Sequence, residues 1–246
     1  MTTIALYNIK GGVGKTAGCV NLAYLAAEQG SRVVVWDLDP QGSASFYFQQ
    51  TAKLKGSIKK MLHADLDLSD NIHETGLENL DIIPADFSNR DLDVILGELK
   101  QAKKKFKALA NQLEGLYDYL FINCPPGIGP LSEAIFSLAD YVVLPTIPTT
   151  LSIRTYEMAR GFFEQNGLDP SRIRAYFSMV DIRKNLHNEI LAQHYRNRQF
   201  LKNYIPYLST IEKMGTQVAP VAVFAPSSYA AQCFREVWKE LKKSIS

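Results

Sequence analysis

Lys10-Gly11-Gly12-Val13-Gly14-Lys15-Thr16 follows directly on the apolar run Thr3-Ile4-Ala5-Leu6-Tyr7-Asn8-Ile9, and this junction decides the fold. A buried strand that runs into a glycine-rich loop and continues as a helix forms a phosphate cradle. Gly11, Gly12 and Gly14 let the backbone bend around an anion and turn successive N–H groups inward. The helix that follows adds its positive N-terminal end, Lys15 reaches β- and γ-phosphates, and the Thr16 hydroxyl can ligate Mg²⁺. Val13 and Ala17 complete the loop and the first helical turn. The usual spacing G-x-x-x-x-G-K-[ST] fails at its first glycine, which would fall on Ile9. A second lysine, Lys10, stands instead at the loop's entrance. On the residues alone it is either a solvated charge beside an anion site or a functional cation.

Two more segments belong to the same scheme. Val33-Val34-Val35-Trp36-Asp37-Leu38-Asp39-Pro40-Gln41-Gly42 reads as a buried strand ending in a turn that carries a carboxylate. Asp39 there can orient an attacking water or hold Mg²⁺ through its hydration shell. Asp37 shares the strand face two residues earlier, and either supports the metal shell or bonds nearby loop amides. Asp118-Tyr119-Leu120-Phe121-Ile122-Asn123-Cys124-Pro125-Pro126-Gly127 is a third strand, leaving through two stiff prolines and a free glycine.

In this order the three motifs resemble those of the ParA/MinD family of partitioning and positioning ATPases, which carry a deviant phosphate loop. The resemblance covers nearly the whole chain, most strongly up to about residue 150. It implies ATP and Mg²⁺ as cofactors and a homodimer in the ATP state, in which the residue matching Lys10 reaches the partner's nucleotide. It puts Lys10, Lys15 and Asp39 in the catalytic set, with Asp39 as the aspartate of switch I, and Thr16, Asp37, Asp39 and Asn123 around the metal. Lys10 to Ala17 would bind the phosphates, while Met179, Asp181, Pro206 and Tyr207 would border adenine. Asn123 departs from the pattern, since the family places an aspartate there to accept from Mg²⁺-bound water. Asparagine keeps one acceptor oxygen, loses the charge and adds a donor. Losing such a partner typically costs about 10–100-fold in metal affinity or activity. A slow ATPase is expected, with a nucleotide switch of weak or absent hydrolysis as the alternative.

Length and composition agree with one domain over residues 1–246. The hydrophobic share of 46% can fill a large core without disulfides, and Cys19, Cys124 and Cys233 follow no metal spacing and read as buried thiols. No signal-peptide pattern opens the chain, and no apolar run approaches the roughly 20 residues that span a bilayer, so a cytoplasmic protein is expected. Strands are predicted at Ile4–Ile9, Arg32–Leu38, Leu80–Pro84, Tyr119–Cys124, Tyr141–Thr146, Ile173–Val180 and Tyr204–Pro206. Helices are predicted at Ala17–Gln29, Asp91–Leu113, Leu151–Gln165 and Asn185–Leu201. Continuous apolar strands alternating with helices predict an α/β fold, a mostly parallel twisted sheet of about seven or eight strands covered on both faces. Ligands then bind at the carboxyl ends of the strands.

Partners are less directly readable. The net charge of +2 is small, but Lys100 to Lys107 holds five lysines and no acid. A second basic stretch holds Arg183, Lys184, Arg196, Arg198, Lys202 and Lys213. The resemblance implies non-specific DNA binding by the ATP dimer, nucleoid association and stimulation by a ParB-like or cargo-specific adaptor. The family's arginine-containing segment after the Ile-Pro strand is here Tyr207 to Lys213, without arginine. Phe234, Val237, Trp238, Leu241 and Ile245 lie at helical spacing, as either a MinD-like membrane anchor or a terminal helix packed on the sheet. Related amidoligases and an iron–sulfur reductase would need an acid-substrate pocket or cluster cysteines that the sequence does not display.

Overall fold

The computed structural model describes residues 1–50, 54–64 and 67–245. Among these residues eight strands form one sheet: β1 (Thr2–Leu6), β2 (Val33–Asp37), β3 (His73–Leu77), β4 (Leu80–Ile83), β5 (Tyr119–Asn123), β6 (Tyr141–Thr146), β7 (Ile173–Val180) and β8 (Ile205–Pro206). Their order is β3-β4-β2-β5-β1-β6-β7-β8. Every neighbouring pair is parallel except the β3–β4 hairpin at one edge. The strands are rich in valine, isoleucine and leucine because both of their faces are covered.

Among the described residues twelve helices surround the sheet: α1 (Lys15–Glu28), α2 (Ser43–Tyr47), α3 (Ile58–Ala64), α4 (Leu92–Glu98), α5 (Ala102–Asn111), α6 (Pro130–Leu138), α7 (Thr150–Gln165), α8 (Asn185–His194), α9 (Ser209–Glu212), α10 (Met214–Gln217), α11 (Val221–Phe224) and α12 (Tyr229–Ser244). Alternation along the strands divides the core in two. Ile4, Val33, Val35 and Phe121 face the layer of α1 and α12. Ala5, Val34, Trp36, Leu120 and Ile122 face the layer of α4, α5, α6 and α7. Trp36 stacks on Phe106 of α5, with ring centroids 5.1 Å apart.

Several boundaries differ from those predicted. β1 stops at Leu6 because Asn8 leaves the ladder: its Nδ2 donates to the Pro145 carbonyl at 2.9 Å and its Oδ1 accepts from the Lys10 N–H at 3.0 Å. β3 escapes sequence reading because His73-Glu74-Thr75-Gly76-Leu77 is an edge strand of mixed polarity with no buried residue. The segment Asp91–Leu113 is two helices, interrupted at Leu99–Gln101, where Gln101 takes a left-handed φ of 58°. The segment Asn185–Leu201 stops being helical at His194, because its end pairs with β7: Ala175 N–H donates to Gln199 O and Leu201 N–H to Ala175 O, both at 2.7 Å.

α12 corrects the membrane-anchor alternative. Phe234, Val237, Trp238 and Leu241 are buried in the core, and the Trp238 ring lies 5.6 Å from Tyr119 and 5.9 Å from Phe121. An apolar stripe already packed on the sheet is not available to a lipid surface. Among the described residues no helix is long and apolar enough to cross a membrane. All three cysteines are buried free thiols.

Candidate functional site

Parallel pairing sets three chain exits at one level. In the shared register Leu6 lies opposite Asn123, and Asn123 opposite Asp37, so the loops after β1, β2 and β5 leave side by side. The β1 loop then turns through Gly12 and Gly14, with φ of 70° and 91°. A side chain is excluded at Gly14 twice over, since a Cβ there would also stand 2.8 Å from Ser178 Oγ. Gly11 and Gly12 face open space. Val13 is buried and anchors the loop, while Thr16 and Ala17 occupy the first turn of α1.

Lys15 is 6% exposed, an unusual state for a lysine, and its Nζ donates to the Lys10 carbonyl at 2.9 Å. Burial pushes its ammonium below the ordinary lysine range, partly offset by Cys124 and Asp39 nearby. A cation held under a glycine loop at this cost is ready for an anion. Lys10 itself is half-buried at the rim.

Asp37 is fully buried and surrounded by donors. Its Oδ2 accepts from the Ser45 N–H and the Ser45 hydroxyl, both at 2.8 Å. Its Oδ1 accepts from Asn123 Nδ2 at 2.9 Å and from the Asp39 N–H at 3.3 Å. Burial raises its pKa, and the bonds from Asn123 and Ser45 pull it back. Of the two alternatives for Asp37, the structure displays the bonding to loop amides, from Ser45 and Asp39. Asp39 is more open, and its Oδ1 accepts from the Gln41 N–H at 3.0 Å in a tight turn. Asn123 is fully buried, and its Oδ1 has no partner among the described residues. Asn89 also leaves a buried Oδ1 unpartnered, while its Nδ2 reaches the Asp37 carbonyl at 3.4 Å.

The turn after β5 leans on the phosphate loop. Gly127 N–H donates to Ile9 O at 3.0 Å, and the Tyr7 hydroxyl donates to Gly127 O at 2.7 Å. Beyond it, Asp93 of α4 accepts from the Leu131 N–H at 2.9 Å and so holds the start of α6.

A cleft opens beside Gly14 and Ala17. Met179, Pro206 and Tyr207 line it, together with Tyr176, Ser178, Ile205, Ile211 and Phe234. A bulge in β7 gives Met179 a left-handed φ of 55° at the cleft wall. Asp181, two residues beyond Met179, does not line this cleft. Its carboxylate pairs with the Arg183 guanidinium at 2.8 Å, which lowers its pKa to about 2. Sequence reading also missed Ser45 and Phe234, eight residues from Asp37 and at the far end of the chain; no local pattern announces such contacts.

The donor set suits Mg²⁺. Among the described residues no three His, Cys, Asp or Glu side chains form a metal cage. Mg²⁺ seldom uses one, since it keeps its waters and relies on one or two carboxylates and substrate phosphates. The buried, unpartnered Asn123 Oδ1 between Asp37 and the loop is an acceptor of the kind that a hydrated ion satisfies.

A family model described as an AAA domain matches residues 1–160. The sporulation initiation inhibitor protein Soj of Bacillus subtilis is 28% identical over 246 residues, spanning 97% of both chains. The chain belongs to the ParA/MinD family of ATPases. Solved members share its fold along almost their whole length. A protein assigned to plasmid partition in Borrelia burgdorferi, bound to AMPPNP, superposes with a TM-score of 0.86 at 20% identity and 98% coverage of both chains. The cell division ATPase MinD of Pyrococcus furiosus gives 0.79 at 19% identity, again with 98% of each chain. The eight-stranded, mostly parallel sheet is therefore the ParA/MinD sheet, and the relatives are partitioning and positioning ATPases.

Proposed function

We propose that this ParA/MinD member binds ATP with Mg²⁺, pairs with a second copy in that state and hydrolyses the nucleotide slowly. The observation that carries the reading is Lys15, buried at an energetic cost beneath a glycine loop that has the half-buried Lys10 at its rim. The loop amides, Lys15 and Thr16 hold the phosphates, and the cleft bounded by Met179, Pro206 and Tyr207 takes the base. Thr16, Asp37, Asp39 and Asn123 hold the hydrated metal, which supplies charge neutralisation between the phosphates. Asp39, on its open turn, orients the attacking water. Lys10 reaches a nucleotide held by the second copy.

Exposed apolar side chains support pairing. Ile128, Leu151 and Ile182 stand out from three of the chain exits at the carboxyl ends of the strands. A second copy laid over these strand ends would cover them. Non-specific DNA is the surface partner we favour. Lys100, Lys104, Lys105 and Lys107 are exposed on and before α5, and Arg196 and Arg198 are exposed after α8. Two such faces joined in a dimer bind a polyanion far better than one. The adaptor that stimulates the ATPase is a separate protein.

Light scattering with ATP, ADP and no nucleotide tests the switch. ATP with Mg²⁺ should double the mass and ADP should not. Lys10→Ala should abolish the doubling and leave nucleotide binding in place. An unchanged mass with ATP would refute the proposal.

A further inference from the structure

Asp37 and Asn123 face each other in register at the carboxyl ends of β2 and β5, both at 0% exposure. An asparagine beside an aspartate has one favourable orientation. Its Nδ2 donates to the Asp37 carboxylate, at 2.9 Å here, and its Oδ1 turns away. Together with the Ser45 N–H, the Ser45 hydroxyl and the Asp39 N–H, this amide completes a set of four uncharged donors around Asp37. Buried carboxylates survive only where donors or cations surround them. An aspartate at position 123 would remove one donor and press a second buried carboxylate against the first. Such a pair is held together by a cation nearby or by a proton that one carboxylate keeps.

The same contact ties two chain segments. Ser45 binds Asp37 through its own amide and hydroxyl, and its Oγ also accepts from the Ala85 N–H at 2.8 Å. Asn123 adds β5 to this knot.

We propose that Asn123 is a positioning residue that closes the Asp37 knot without metal, so that the phosphate site is formed before Mg²⁺ arrives. This rests on the nucleotide and Mg²⁺ reading of the site. Asn123 then is a replacement with its own use, not a damaged aspartate. Its Nδ2 does in the metal-free protein what a cation does between two carboxylates, and its Oδ1 remains to accept from a metal-bound water. The consequence is a site whose geometry and nucleotide affinity depend little on Mg²⁺.

The test compares the wild type, Asn123→Asp, Asn123→Leu and the swapped pair Asp37→Asn with Asn123→Asp. Melting temperatures are measured at pH 8 without nucleotide, in EDTA and in excess Mg²⁺. A fluorescent ATP analogue is titrated in both buffers. In EDTA, Asn123→Asp should melt roughly 5–15 °C below wild type. Mg²⁺ should recover most of that loss, while moving the wild type and Asn123→Leu little. The swapped pair restores one amide and one carboxylate and should melt close to wild type in EDTA. For Asn123→Asp the gain in analogue affinity from Mg²⁺ should exceed the wild-type gain by about 10–100-fold. Equal melting of wild type and Asn123→Asp in EDTA would overturn the proposal. So would a swapped pair no more stable than the single variant, or a wild type that gains as much from Mg²⁺ as Asn123→Asp. If Asn123→Asp cannot be purified without Mg²⁺, the swapped pair decides. Failure of the wild type to bind the analogue in either buffer would instead refute the nucleotide reading, and the nucleotide-free melts would still judge the knot.

Discussion

Lys15 reaches back across its own loop and donates from Nζ to the Lys10 carbonyl at 2.9 Å, so one backbone oxygen joins the two lysines of the phosphate loop. The bond explains how an ammonium stays in a place where burial works against it. It also shapes the loop, since Lys15 clamps the residue at its entrance.

Removing that ammonium separates binding from stability. Lys15→Met should weaken ATP binding by at least the roughly 1.5–3 kcal/mol of a hydrogen bond to a charged group, about 10–150-fold by calorimetry. The nucleotide-free protein should be no less stable. Because the folded-state pKa of Lys15 is lowered, the folded protein binds fewer protons than the unfolded chain just below pH 10.5. Its contribution therefore makes stability rise with pH in that window, and urea melts of Lys15→Met should lose that part of the rise.

Gly14 is strained for any other residue. Gly14→Ala must adopt a φ near 91° and put its Cβ 2.8 Å from Ser178 Oγ. A cost of about 1–3 kcal/mol is expected in denaturant unfolding, together with loss of ATP binding. Gly11→Ala, which faces open space, should change stability little. Equal unfolding midpoints for the two variants would contradict this account.

Trp238 tests the packing of α12. Trp238→Ala should cost about 3–5 kcal/mol, because a fully buried ring beside Tyr119 and Phe121 leaves a cavity. Trp238→Glu should prevent folding. A folded, stable Trp238→Glu protein, shown by circular dichroism, would mean that α12 is not part of the core.

The DNA reading separates the two basic faces. Reversing Lys100, Lys104 and Lys105 to Glu should reduce ATP-dependent DNA binding at least tenfold and flatten its salt dependence. Lys103 is a weaker probe, since it already pairs with Glu133 at 2.9 Å. Reversal at Arg196 and Arg198 measures the other face. Binding that needs no ATP, or that ignores salt, would exclude the electrostatic dimer surface.

Local chemistry decided much of this protein from its sequence. Lys10 to Thr16 sits after an apolar run, and only glycine turns of left-handed φ allow a strand to pass so abruptly into a helix around an anion. Runs such as Val33 to Trp36 announce a strand buried on both faces, and their alternation with helices announces a parallel sheet. What the sequence could not decide depends on distance along the chain. β3 carries too little apolar patterning to stand out, and the anchor stays an alternative for α12 until Tyr119 and Phe121 are seen to cover Trp238. Asp181 matched a base-pocket position by resemblance, but a guanidinium two residues on claims its carboxylate. Asn123 looks in sequence like a lost charge. Folding places it opposite Asp37, and because a buried amide N–H favours a nearby acceptor, that placement decides where its Nδ2 points and leaves its Oδ1 without a partner among the described residues.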